Sequence, residues 1–311
     1  MRLPASYTGT VGYKPTWGLI SRYGLVSYAP SLDTVGLMAR SVGDVITGFE
    51  GLVGLRGGWK DPTLVKMKEN ELDSTEPLPL EGVTIGVLEE WLEDLAGISD
   101  HPLERIIKFI ERETGARLKL VSIPELKGNE CLERYYEIAC MEASSTLARY
   151  SGNFLKIAGK GEAYVIPNSN DYGLAVRQFQ EENFGGEVFR RIERGRRLLC
   201  DSENIKKTES YRERLKCAFD KLFKGECCDV LIGPTAFSSA PKLHALEKEK
   251  EDDLFTVPAN LAGLPAISIP LHGLSRGTEG VIGTQLMAAH LDDRLLLRVA
   301  RELEKVSVNM K

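Results

Sequence analysis

From Ser41 to Leu55 apolar residues recur at Val42, Val45, Ile46 and Phe49, the spacing of an amphipathic helix, and Gly57-Gly58 closes the run. Residues 83–88 are almost continuously apolar, which predicts a strand covered on both faces. The next helix has clear boundary signals: Asp100 as cap, Pro102 in its first turn, Leu103, Ile106, Ile107 and Ile110 on one face, and Gly115 as its stop. Residues 117–123 read as the following strand, completing a β-α-β unit whose crossover is expected to be right-handed. Residues 129–226 are charged, lack strand alternation and read as mostly helical, with helices over Val188–Leu199 and Tyr211–Phe223. The parallel-type strand signal returns at 229–234, 266–270 and 281–287, and a last helix runs from Asp292 with Leu295, Leu296, Val299 and Leu303 on one face. Strands on both sides of a helical middle predict an α/β fold with one sheet and inserted helices, a single domain over residues 1–311. The first 48 residues carry turn signals at Thr8-Gly9, Lys14-Pro15-Thr16 and Trp17-Gly18, and are predicted to be loops and short strands.

Composition narrows the function classes. With 42% hydrophobic and 27% charged residues the chain is an ordinary globular protein, and its net charge of -5 gives no general attraction to a polyanion. No apolar run approaches the roughly 18 residues of a membrane span, and the opening Met1 to Ala5 reads as neither a signal peptide nor a transit segment. The six Cys lack paired metal or redox spacing, which fits a reducing compartment, and the adjacent Cys227 and Cys228 read as filler at a strand entry. His101, His244, His272 and His290 show no metal-ligand spacing and offer no His-based triad. The glycines from Gly152 to Gly161 have neither the turn length nor the hydroxyl of a phosphate loop.

One stretch is more specific. Gly9-x-x-Gly12-x-Lys14-Pro15-Thr16-x-Gly18-x-x-Ser21, preceded by Arg2 and followed by Ser31-Leu32-Asp33-Thr34-Val35-Gly36, resembles the second half of the amidase signature. In that family Gly-Gly-Ser-x-Arg leads into G-x-x-G-x-K-P-T-x-G-x-x-S, and the Ser is the nucleophile. Arg2 matches the motif's Arg and Met1 its variable position, so the nucleophile is expected immediately before Met1, with a cis-bonded Ser, a Lys and the oxyanion-hole glycines further upstream. On this reading the N-terminal third of the family pattern is missing, no catalytic residue lies in the chain, and the 311 residues are expected to be inactive alone. Lys14, Ser6, Ser21 and Ser27 read as structural turn and loop residues rather than replacements.

The resemblance continues through the Asp61-Pro62-Thr63 turn. Residues 135–150, 184–192 and 253–266 are similar to segments of one branch of the family, the A subunits of tRNA-dependent amidotransferases. It implies a mixed β-sheet core covered by helices and a glutaminase that holds a zwitterion: Arg191 for the α-carboxylate, Asp253 for the α-ammonium, and Tyr135 lining the pocket. It implies further that this polypeptide binds no cofactor. Released ammonia would pass to a B subunit that uses ATP and Mg2+ and carries most of the contact with glutamyl-tRNA(Gln), while a small C-type subunit or fungal substitute braces the assembly. The wording of the motifs favours the mitochondrial matrix, with a bacterial cytoplasm as the alternative. Two other readings stay open: a stand-alone amidase acting on small or fatty amides, and a non-catalytic truncated fragment. Val281 stands where the family usually has Pro, although Gly283 and Gln285 are kept, so local packing is expected to differ there.

Overall fold

The computed structural model describes residues 1–53, 60–67, 77–98, 101–150, 172–225, 227–242, 253–275 and 280–308. Elements in chain order begin with α1 (Arg2–Thr8), β1 (Val11–Lys14), β2 (Leu37–Ala39), α2 (Val42–Val53), β3 (Thr84–Leu88) and α3 (Glu89–Asp94). There follow α4 (Leu103–Glu113), β4 (Arg117–Val121), α5 (Glu130–Leu147), α6 (Tyr172–Asn183), α7 (Gly186–Leu199) and α8 (Ser202–Lys224). The chain ends with β5 (Val230–Pro234), α9 (Val257–Ala262), β6 (Ala266–Ile269), β7 (Thr284–Ala288) and α10 (Asp293–Val308). It divides into unit 1, comprising Met1–Leu25, Thr34–Glu133 and Tyr211–Lys311, and unit 2, comprising Val26–Asp33 and Arg134–Ser210.

Unit 1 holds one seven-stranded sheet in the order β2-β1-β6-β7-β5-β3-β4. β3 runs parallel to β4 and to β5, and α4 connects β3 to β4 as the β-α-β reading expected. The mixed α/β architecture is therefore the one anticipated, but two strand directions are not. β7 is antiparallel to both β5 and β6, and β6 is antiparallel to β1, where the apolar runs had suggested parallel neighbours. Such a run reports that both faces are covered and carries no information on direction. β1, β5, β6 and β7 are each buried along their whole length. On α10, Leu296, Val299 and Leu303 face the core, and on α2 Val42, Val45, Ile46 and Phe49 do so, each large side chain contributing about 1.5–3 kcal/mol by leaving water.

The opening segment departs from expectation. Arg2–Thr8 is a helix, with Pro4 in the first turn where no amide hydrogen bond is lost, and Gly9 ends it in the left-handed conformation at φ 65°. Its turn-forming composition hid it, and tertiary burial of Arg2, Ala5 and Ser6 holds it. Ser6 is accordingly not a loop hydroxyl: it is buried, and its Oγ accepts from the Gly283 amide at 2.7 Å. Pro102 takes the cap position of α4 rather than a place inside its first turn. Asp100, Gly57, Gly58, residues 152–161 and His244 lie outside the described residues. Cys228 is buried beside Gly86, where a Cβ would come within 2.8 Å of its Sγ, in keeping with a filler role.

Lys14 is likewise not a turn residue but the last residue of β1, 6% exposed, with Nζ donating to the Pro15 carbonyl at 3.0 Å. Beside it, Asp293 is wholly buried at the start of α10 and accepts from Tyr13 Oη at 2.5 Å, the Thr16 amide at 2.8 Å and Thr16 Oγ1 at 2.5 Å. Thr16 Oγ1 also accepts from the Leu291 amide at 3.0 Å. Tyr13, Lys14 and Thr16 of the signature thus converge with Asp293 in a buried polar knot. Burial first, and Arg2 second, push the Lys14 amine down from 10.5 to about 7, against the pull of Asp293.

Between pH 7 and 10.5 the unfolded chain retains a proton on Lys14 that the folded chain has released, so stability rises with pH through this window. Below it the full cost of burying the cation is present. In urea unfolding followed by circular dichroism at pH 7, 8, 9 and 10, the wild type is expected to gain up to about 1.4 kcal/mol per unit relative to Lys14→Met. Equal slopes in the two proteins would show that Lys14 stays charged on folding.

Candidate functional site

In unit 2 the segment 26–33 is tied by Asp33, whose carboxylate accepts from Ser27 Oγ at 2.8 Å, the Tyr28 amide at 2.9 Å and the Ala29 amide at 3.2 Å. A second carboxylate, that of Glu142 on α5, accepts the Ser31 amide at 2.8 Å. These bonds present Tyr28 to α7. There Arg191 Nη1 donates to Tyr28 Oη at 3.2 Å and Nε donates to Glu187 Oε1 at 2.9 Å. The guanidinium lies 5.9 Å from the ring centres of both Tyr28 and Tyr136, within range of a cation–π interaction. Tyr135 packs edge-on against Tyr136 with centroids 5.4 Å apart.

Burial opposes the charge on Arg191, but the bonds to Tyr28 and Glu187 outweigh it and raise its pKa further above the ordinary value, so it is a permanent cation. Its Nη2 has no hydrogen-bond partner among the described residues, and the side chain is 37% exposed. Among the described residues Nη2 is therefore the nitrogen left to meet a carboxylate from a ligand. α7 is pressed onto α5 at Gly195, where a Cβ would stand 1.9 Å from the Cys140 carbonyl oxygen, with Ala143, Leu147 and Ile192 filling the contact.

Asp253 belongs to unit 1, at the entry to α9, and is half-buried ahead of the buried Leu254 and Phe255. Its carbonyl accepts from the Thr256 amide at 2.9 Å, the Val257 amide at 3.0 Å and Thr256 Oγ1 at 3.1 Å. Of the three site residues read from the sequence, Tyr135 and Arg191 share unit 2 with the ring cluster, and Asp253 stands in unit 1. Sequence reading missed Tyr28, Tyr136 and Glu187 as the surroundings of Arg191. Glu187 was accessible from its helical i, i+4 spacing, whereas Tyr28 is brought in only by the Asp33 staple.

A mixed sheet with this signature segment on its first strand defines a class. The amidase family matches residues 1–297, and the chain belongs to that family. Within it, the chain is 37% identical over 317 residues to the glutamyl-tRNA(Gln) amidotransferase A subunit of Thermoanaerobacter pseudethanolicus, covering 99% of this chain and 61% of that protein. To the mitochondrial A subunit of Coccidioides posadasii it is 34% identical over 346 residues, covering 99% and 67%. The crystal structure of the glutamyl-tRNA(Gln) amidotransferase A subunit from Thermotoga maritima matches with a TM-score of 0.69 at 29% identity, over 98% of this chain and 59% of that one. A 6-aminohexanoate cyclic dimer hydrolase shares the fold, with a TM-score of 0.71 at 21% identity. The resemblance to the amidotransferase A subunits is thereby borne out along nearly the whole chain, which spans 61% of the length of its bacterial relative.

The contact at Gly195 gives a direct check on the seat of Arg191. Gly195→Ala forces α7 off α5 and is expected to cost about 1–3 kcal/mol. Amide hydrogen exchange would show this as lost protection in peptides of α5 and α7, and unchanged protection would mean that the helices are not in this close register.

Proposed function

We propose that this chain is part of the A subunit of a glutamyl-tRNA(Gln) amidotransferase and contributes the groups that hold free glutamine. The observation that carries the reading is Arg191: a permanent cation within range of two tyrosine rings whose Nη2 has no partner among the described residues, in a chain whose relatives bear that name. A generic or fatty amide offers no anion to the remaining Nη2, whereas the glutamine α-carboxylate matches it in sign. On this reading Asp253 takes the α-ammonium, and Tyr135, beside Tyr136, lines the side of Arg191. In the family motif the amide is attacked by the Ser of Gly-Gly-Ser-x-Arg, whose Arg is Arg2 here, forming an acyl-enzyme and releasing ammonia.

Ammonia then passes to a B subunit, which uses ATP with Mg2+ to activate tRNA-bound glutamate and close the new carbon–nitrogen bond, making the assembly a ligase used in protein biosynthesis. The acidic net charge of -5 agrees with the tRNA being held mainly by that partner, and a small C-type or fungal protein braces this one. Fungal mitochondrial relatives support the mitochondrial matrix as its compartment, and bacterial relatives support a bacterial cytoplasm as the alternative.

Calorimetric titration of the chain tests the recognition step apart from turnover. L-glutamine is expected to bind and butanamide, the uncharged amide, is not. Arg191→Lys is expected to weaken glutamine by about tenfold or more, since a charge-assisted fork is worth about 1.5–3 kcal/mol. Butanamide binding as well as glutamine, or an unchanged affinity in Arg191→Lys, would overturn the reading.

A further inference from the structure

Arg2 is 4% exposed, and a buried guanidinium is tolerated only when its donors are matched. Its Nη2 donates to the Thr256 carbonyl at 2.7 Å and to Asn260 Oδ1 at 2.7 Å, and its Nη1 donates to Oε1 of Gln285 on β7. Gln285 has no exposure at all, and its Nε2 donates to the Phe255 carbonyl at 2.7 Å. Three of these four bonds end on residues 255–260, directly after Asp253. The fourth joins the two side chains to each other.

A tie whose only task was to hold α1 against the sheet could end on any carbonyl around it. These bonds reach one short stretch from two directions, from α1 through Arg2 and from the middle of the sheet through Gln285. The main chain at Asp253 is then closed on that stretch by the Thr256 and Val257 amides. With Leu254 and Phe255 buried behind it, the Asp253 backbone is anchored on its C-terminal side, and its carboxylate is reached from that anchor by its own rotamers.

We infer that Arg2 and Gln285 are positioning residues for recognition of an α-ammonium: together they fix Asp253 where a zwitterionic amino-acid substrate presents its amine. This rests on the glutamine reading above and deepens it, by assigning ammonium selectivity to a buried clamp as well as to the carboxylate that touches the ligand. Holding such a group in place before the ligand arrives matters because a carboxylate free to wander loses part of the contact energy to ordering.

The selective readout is a pair of ligands, L-glutamine and 4-carbamoylbutanoate, which keeps the side-chain amide and the carboxylate but lacks the amine. In calorimetry on the 311-residue chain, Asp253→Asn is expected to weaken L-glutamine by about tenfold while leaving 4-carbamoylbutanoate within about twofold. Gln285→Met, close in volume but unable to make either bond, should reproduce that selective loss, and the double variant should lose no more than either single one. Equal weakening of both ligands by Gln285→Met, or of neither, overturns the clamp, because a merely structural role would not distinguish them. Should Gln285→Met fail to fold by circular dichroism, Asn260→Ala, at a half-buried position of the same clamp, is read against the same two outcomes. No preference for L-glutamine in the wild type, or an Asp253→Asn variant that keeps it, overturns the glutamine reading itself and the inference with it. A selective Asp253→Asn beside a non-selective Gln285→Met removes the clamp alone.

Discussion

A guanidinium cannot be taken out of water unless protein groups replace the water around it, and unit 1 is arranged about that requirement at Arg2. The side chain leaves α1 and ends on acceptors from α9, from the residue before it, and from β7. Three elements far apart in sequence are thereby held to one point, with separations of 254 to 283 residues between donor and acceptor. Apolar burial alone would not set that register, because it is indifferent to small sliding movements. Hydrogen bonds to a forked cation are directional, so they fix the position of the helix against the sheet and of the 253–260 stretch against both.

The neighbouring knot around Asp293 works by the same rule with the opposite charge. A carboxylate with no solvent contact is supplied with two hydroxyls and one amide, and its position at the start of α10 adds the favourable end of the helix dipole. The donating residues, Tyr13 and Thr16, stand in the signature segment and flank the buried Lys14 and its neighbour Pro15. Seen this way, much of the signature outside the nucleophile encodes how buried polar groups are satisfied. That is why the segment looks like loop in composition yet Val11 to Thr16 and Gly18 to Ile20 lie inside.

What the sequence disclosed follows from what periodicity can report. Helical spacing located α2, α4, α7, α8 and α10, and unbroken apolar runs located β3, β5 and β6, because burial leaves its mark on residue type at every turn or alternate position. Strand direction at β6 and β7 leaves no such mark, and α1 is too short and too rich in turn formers for a periodic signal to exceed its local propensities. The charged site residues were named by resemblance; their partners were not, since Tyr28 and Arg191 are 163 residues apart and meet only after the chain has folded. Lys14 illustrates the converse. Its place before Pro15 suggested a turn, and only the sheet reveals that the residue is the buried end of a strand.

The tail of the signature gains a physical role from unit 2. Ser31-Leu32-Asp33 was notable in sequence only as an ordered match. In the fold Asp33 gathers a hydroxyl and two amides of its own loop, and the Ser31 amide is taken by Glu142. Without those bonds the loop carrying Tyr28 would have to be ordered at the moment a ligand arrived, at about 1–2 kcal/mol per residue fixed. With them, a tyrosine hydroxyl and ring already stand beside Arg191. Nε of the guanidinium is held by Glu187 and Nη1 by Tyr28, its centre lies 5.9 Å from two ring centres, and among the described residues Nη2 is the nitrogen left to a planar carboxylate. A lysine at that position would offer a point charge without a preferred edge, so the staple at Asp33 would have nothing to orient.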